Sequence, residues 1–141
     1  MVSVTHDKSL KIGEVASLSG LSVKTIRYYE DIGLLSPTVE RSESGYRLFN
    51  SLVLTRLSFV KRAKSLGLSL SEIREILEIR DLGQLPCGEV KQCLQSKVEA
   101  INQQIAALET LRGELKELLA HWQEQPSPNQ AAQTICPNIQ L

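Results

Sequence analysis

Apolar residues recur at helical spacing through most of the chain, with one interruption near the middle of its first half. Ile12, Val15 and Ala16 share one face of a short helix, and Gly20 follows Ala16 by four residues. Val23, Ile26 and Tyr29 mark the inward face of a second short helix, with Ser22 placed to cap it. A small residue, a turn glycine and an apolar residue at these offsets suit a helix-turn-helix. Ala16 lets the helices approach, and Gly20 accepts positive φ in the tight turn. Pro37 stops the helical pattern. Thr38–Arg41 and Tyr46–Phe49 then read as strands of a hairpin around Ser42-Glu43-Ser44-Gly45. Helical spacing returns from Asn50 to Leu66, with Leu57, Val60 and Ala63 facing inward, and stops at Gly67. Ser69-Leu70-Ser71-Glu72 is a capping-box sequence that opens a further helix to about Ile79.

The longest run extends from Cys87 to about Gln123 without an interior proline. With Leu94 at heptad position d, Val98, Ile101, Ile105, Leu108, Leu115, Leu119 and Trp122 all fall on a or d. Only Arg112 breaks the seam; Leu111 and Leu118 widen it at g, and Cys93 falls on the solvated c position. The pattern predicts a coiled coil. A lone helix with that face exposed does not stay folded, so a partner is required. No second helix of matching length is written in the chain, and a homodimer is the simplest solution. The expected organisation is therefore a head over 1–80, a dimerisation helix over 81–123, and a Pro/Ser/Gln-rich loop and tail over 124–141.

Composition agrees with a mainly α fold: 42% of the 141 residues are hydrophobic and only 4% aromatic. No 18-residue apolar run predicts a membrane span. The segment MVSVTHDKSL has no apolar core of a signal peptide, so a cytoplasmic protein is expected. Net charge is zero, but its distribution is not even. Residues 1–80 hold 12 Lys+Arg against 9 Asp+Glu, and residues 81–141 hold 4 against 7. A basic front and an acidic back fit a nucleic-acid-binding head on a tail that does not bind it. Three cysteines, Cys87, Cys93 and Cys136, argue against a disulfide framework and leave metal ligation, redox sensing or inert thiols open. No HExxH, Ser/His/Asp set or phosphate-binding loop is present, so no enzyme and no catalytic residue is expected.

The second short helix directs Lys24, Thr25, Arg27 and Tyr28 outward. These side-chain types contact phosphates and base edges in a major groove, although they also suit the solvated side of an ordinary αα-hairpin. Arg41 and Arg47 flank the hairpin tip, where a wing beside a recognition helix grips phosphate oxygens; a plain charged edge hairpin is the alternative. Arg56, Lys61, Arg62 and Lys64 give the third helix a basic side whose members are candidates for the DNA backbone.

The run KIGEVASLSGLSVKTIRYYEDIGLL, the hairpin RSESGYR and the stretch FVKRAKSLGLSLSEIREIL together resemble the MerR family of winged-helix transcription regulators. The resemblance covers the whole head without a gap. It implies that Lys24, Thr25, Arg27 and Tyr28 are recognition-helix contacts, and that Arg41, Tyr46 and Arg47 are wing contacts to double-stranded promoter DNA. It further implies an antiparallel dimer. The operator is then a palindrome in a promoter whose −35 to −10 spacer is too long. Effector binding distorts that DNA and realigns the promoter for RNA polymerase.

The same resemblance implies an effector site. In metal-sensing members one ligand comes from the start of the dimerisation helix, and others from a loop after the partner's helix that ends in Cys-Pro. Cys87 in PCGEV and Cys136 in ICPNI match by position. Where zinc, mercury or lead binders place a Cys near the end of the long helix, this chain has Ala120-His121, and its loop is longer. His121 is a candidate third ligand; water, a backbone group or Glu124 are alternatives. A Cys/Cys/His set suits a borderline-to-soft divalent ion, zinc first, with mercury, lead and cadmium open. The monovalent-copper branch has Ser where Cys87 stands. The same two thiols on the same scaffold also suit a redox sensor.

Overall fold

The computed structural model describes residues 9–140; the leader assessment of the first residues, including His6, falls outside them. The described chain contains β1 (Leu10–Lys11), α1 (Ile12–Ser19), α2 (Val23–Asp31), a 3-10 turn (Ser36–Thr38), β2 (Val39–Arg41), β3 (Arg47–Phe49), α3 (Leu52–Ser65), α4 (Leu70–Asp81), α5 (Cys87–Ala120), α6 (Pro128–Gln133) and α7 (Pro137–Gln140). It divides into two compact units, one ending at Leu94 and one beginning at Gln95.

Local chemistry sets the helix ends of the first unit. The Glu14 carboxylate accepts the Lys11 N–H at 2.9 Å and closes the start of α1. Gly20, at φ 76, donates its N–H to the Ala16 carbonyl and turns the chain toward α2. The Ser22 hydroxyl accepts the Thr25 N–H at 3.0 Å, as its position predicts. Ser69 and Glu72 form the reciprocal capping box at 3.1 and 2.8 Å.

The hairpin belongs to a three-stranded antiparallel sheet of order β1-β3-β2, with Leu10 opposite Phe49 and Val39 opposite Phe49 on its other side. Thr38 is not the first strand residue expected for it. It ends the 3-10 turn, buried, with its hydroxyl donating to the Leu35 carbonyl at 2.7 Å. Phe49 is fully buried against Val15, Ile26, Leu35, Val53, Leu57, Val60 and Ile73, so α1 to α4 and the sheet share one core. Burying each large apolar side chain contributes about 1.5–3 kcal/mol.

Val90, Cys93 and Leu94 pack against this same core. Cys93 is therefore half-buried, which corrects the solvated position expected for it. The heptad wheel places Cys93 on the outside of a coiled coil, but the first turns of α5 pack on the head.

The second unit carries most of α5 and the segment after it. That segment, expected as an irregular loop, contains α6 and α7 instead. Ser127 and Gln130 cap α6 reciprocally, and Pro128 at its first position has no N–H to leave unpaired. The Gln140 carboxamide oxygen accepts the N–H groups of Ile135 and Cys136 at 2.6 and 3.0 Å and closes the turn before α7. No helix among the described residues is long and apolar enough to cross a membrane.

Candidate nucleic-acid interface and metal ligands

Ile26 and Tyr29 bury the inner face of α2, and this fixes its outer face. Lys24, Arg27 and Tyr28 are exposed there; Thr25 is half-buried and receives a hydrogen bond from the Ser22 hydroxyl at 2.9 Å. The Tyr28 ring stands 6.2 Å from that of Tyr29, with half its surface open. One helix face thus offers two cations and two hydroxyls, able to donate to phosphate and base-edge acceptors.

On the hairpin, Gly45 at φ 87 makes the tip, and the Ser42 and Tyr46 backbones bond across it at 2.9 Å. Tyr46 is exposed. Arg41 and Arg47 sit directly opposite each other on β2 and β3. Two facing like charges repel, and the structure separates them. The Arg41 guanidinium donates to the Gly45 carbonyl at 3.2 Å and stays exposed at the tip. Arg47 turns the other way, donates to the Glu30 carboxylate, and lies 3.6 Å from the Asp31 carboxylate. Glu30 and Asp31 end α2, where the helix dipole disfavours anions; Arg47 offsets that cost and ties the wing strand to the helix. The pairing of Arg47 with Glu30 has no local signal, because the two residues lie 17 apart.

Part of the basic side of α3 is likewise committed within the head. Lys61 donates to the Ser19 carbonyl at 2.8 Å, completing the end of α1 at the turn. Arg62 lies 3.5 Å from the Ser65 hydroxyl. Arg56 has only a tenth of its side chain exposed and pairs with Asp81.

Each metal-ligand candidate has its own local frame. Cys87 is the first residue of α5 and is exposed, with the helix starting on the Pro86 carbonyl at 3.0 Å from the Val90 nitrogen. His121 follows the last residue of α5, and its Nδ1 lies 3.1 Å from the Glu117 carbonyl. A carbonyl only accepts, so a hydrogen bond here uses an Nδ1 proton, and the neutral ring with that tautomer would present Nε2 to a ligand. Cys136 is half-buried, in the turn held by Gln140. The Asn138 side chain accepts the Gln123 N–H at 2.8 Å and donates to the Gln123 carbonyl at 3.0 Å. This two-bond clamp, unforeseen in the sequence, joins the Cys136 turn to the segment just beyond His121. Among the described residues of a single chain, no three His, Cys, Asp or Glu side chains cluster as a metal site.

Comparison with known proteins gives this arrangement a lineage. A family model described as "MerR HTH family regulatory protein" matches residues 10–79, and one described as "MerR, DNA binding" matches residues 54–118. The chain belongs to the MerR family. A relative in Haemophilus influenzae, described as a probable heavy metal-dependent transcriptional regulator, is 38% identical over 115 residues, spanning 82% of this chain and 86% of its own. The transcription regulator PbrR691 from Ralstonia metallidurans CH34, solved in complex with lead(II), aligns with a TM-score of 0.70 and 34% identity over 84% of this chain and 91% of that one. HiNmlR, a MerR family regulator lacking the sensor domain and solved bound to promoter DNA, aligns with a TM-score of 0.53 and 30% identity, covering 80% and 89%. The mainly helical fold, with a winged helix-turn-helix head and a long following helix, is that of MerR regulators.

Proposed function

We propose that this chain is a homodimeric, metal-responsive regulator of transcription and not an enzyme. The observation that carries the proposal is the Asn138–Gln123 clamp. It keeps Cys136, two residues before Asn138, with the chain segment two residues after His121. Further support comes from the heavy-metal relatives in the same family, which favour a metal signal over a redox one.

The donor set fits a divalent ion of soft or borderline character. It consists of the exposed Cys87 thiol, the half-buried Cys136 thiol and Nε2 of His121. Zinc is the first choice, because an imidazole accompanies the thiols; mercury, lead and cadmium share the chemistry. When bound, such an ion supplies a cross-link between thiolate and imidazole ligands.

Cys87 and His121 stand at opposite ends of α5, about 50 Å apart at 1.5 Å per residue. One ion therefore draws on both ends only if two helices lie antiparallel, with Cys87 of one protomer beside His121 and Cys136 of its partner. The α5 seam supports such pairing. Val98, Ile101, Ile105, Leu108, Leu115 and Leu119 are each at least half exposed in the single chain.

Lys24, Thr25, Arg27 and Tyr28 then read base edges and phosphates in the major groove. Arg41 and Tyr46 hold the backbone at the wing, and Arg47 fixes the wing against the recognition helix. The dimer binds a palindromic promoter, and a metal preference for one of two dimer shapes distorts the DNA for RNA polymerase. The proposed functional parts are a head over 1–80, a dimerisation helix over 81–123 and an effector segment over 124–141, whereas the compact units of the single chain divide between Leu94 and Gln95.

Run-off transcription from the cognate promoter, with and without zinc, lead, cadmium or mercury, tests the proposal. Cys136→Ser retains operator affinity and loses induction. Induction by oxidant and by none of these ions would instead favour the redox reading.

A further inference from the structure

Arg56 performs a task that neither DNA contact nor metal binding accounts for. It projects from α3 with a tenth of its side chain exposed. Its Nε donates to the Leu34 carbonyl, while Nη1 and Nη2 reach the two Asp81 carboxylate oxygens at 2.6 and 3.0 Å. Three of its five N–H donors are therefore committed, two of them fork-on-fork.

The two ends it joins are distinct. Leu34 closes the recognition helix: its N–H bonds to the Tyr29 carbonyl at 3.0 Å, across Gly33 at φ 86. Asp81 is the last residue of α4, and the connection 82–86 leads directly to Cys87. Val90, Cys93 and Leu94 on the next turns of α5 pack on the head's core.

We propose that Arg56 and Asp81 form a positioning pair that couples the Cys87 end of α5 to the C-terminal cap of the recognition helix. The physical path is short: Cys87, the connecting segment, Asp81, the Arg56 guanidinium, the Leu34 carbonyl and the Tyr29 carbonyl. A bidentate carboxylate pair holds the guanidinium in one plane, and the third donor lies in that same plane. Rotation of the α4 end therefore tilts the plane and shifts the Leu34 carbonyl. Lysine has three donors on a compact ammonium but no planar fork, so it does not reproduce this bidentate, coplanar arrangement. The coupling rests on the metal-responsive function proposed above. The geometry of the pair stands without it.

The test uses the full-length dimer with Asp81→Asn, Arg56→Lys and the double variant. The probes are zinc, lead, cadmium and mercury ions. Metal stoichiometry, operator affinity without metal and the ratio of induced to basal transcription are measured together. The pair predicts that both single variants bind metal with wild-type stoichiometry and bind operator within about threefold, yet lose about tenfold in induction ratio. The double variant is then no worse than the weaker single one, because both lesions break one interaction. An induction ratio that stays at wild-type level, or falls only as far as operator affinity falls, overturns the proposal. If Asp81→Asn unfolds, Arg56→Lys, which keeps the positive charge, carries the same comparison.

Hydrogen exchange at the Leu34 amide gives a readout that needs no metal. In the metal-free protein it accelerates by about tenfold in Asp81→Asn if the pair holds the cap. Unchanged exchange overturns the coupling. Faster exchange combined with a wild-type dimer that no ion induces supports the pair and removes the metal reading.

Discussion

Arg41 and Arg47 carry the same side chain, face each other across one strand pair, and do different work. Arg41 stays at the exposed tip, where it is proposed to contact one phosphate. Arg41→Ala is predicted to weaken operator and non-operator DNA alike, and to lower the slope of log affinity against log salt by about 1. Arg47 pairs with Glu30, so Arg47→Ala is predicted to loosen the wing on the recognition helix. Its signature in a DNA-binding titration is a loss of operator preference larger than any change in salt slope. Ser22 offers a stability test at this scale. Its hydroxyl satisfies the Thr25 N–H, and Ser22→Ala is expected to cost about 1 kcal/mol in denaturant unfolding. Residues whose partners lie within a few positions were legible in the sequence. Ser22 and the Ser69–Glu72 box did as their spacing predicted. The ion pairs of Arg47 and Arg56 were not legible, because their carboxylate partners lie 17 and 25 residues away and are brought close only by the fold.

The elements show a similar division. α1 to α5 follow from apolar spacing, capping residues and turn glycines, within about two residues at most ends. β1 could not be read, since two residues carry no period; it exists only because β3 offers it an edge. α6 and α7 were hidden in a Pro- and Gln-rich stretch, where short capping bonds and the Asn138 clamp take the place of an apolar stripe. Cys93 was misplaced because one heptad register was extended over turns that pack on the head. Along the rest of α5 the apolar seam is bare in the single chain. Ile105→Lys buries a charge at the centre of the proposed dimer. Sedimentation at micromolar concentration is expected to show dimer for the wild type and monomer for this variant, with the head still folded by circular dichroism. A variant that remains dimeric would place the interface elsewhere.

For the whole molecule, the head was the more legible end. Its family pattern, its exposed recognition-helix face and its wing all point to DNA. The effector end was readable as three candidate ligands, which form no cluster among the described residues of one chain; the proposed site is completed by the partner. The Asn138 clamp and the Nδ1–carbonyl bond of His121 are structural details that the spacing of Cys87, His121 and Cys136 did not disclose.

The central claim is that Cys87 of one protomer and Cys136 of its partner hold one metal ion. Subunit complementation tests it most directly. Cys87→Ser and Cys136→Ser dimers, each prepared alone, are expected to bind no ion tightly. When the two are mixed and exchanged, each heterodimer regains one intact pair, Cys87 from one chain and Cys136 from the other. Titration of the purified heterodimer with zinc is predicted to give one tightly bound ion per dimer, against two for the wild type. A heterodimer that binds none, or single-variant dimers that still bind two, would contradict the account.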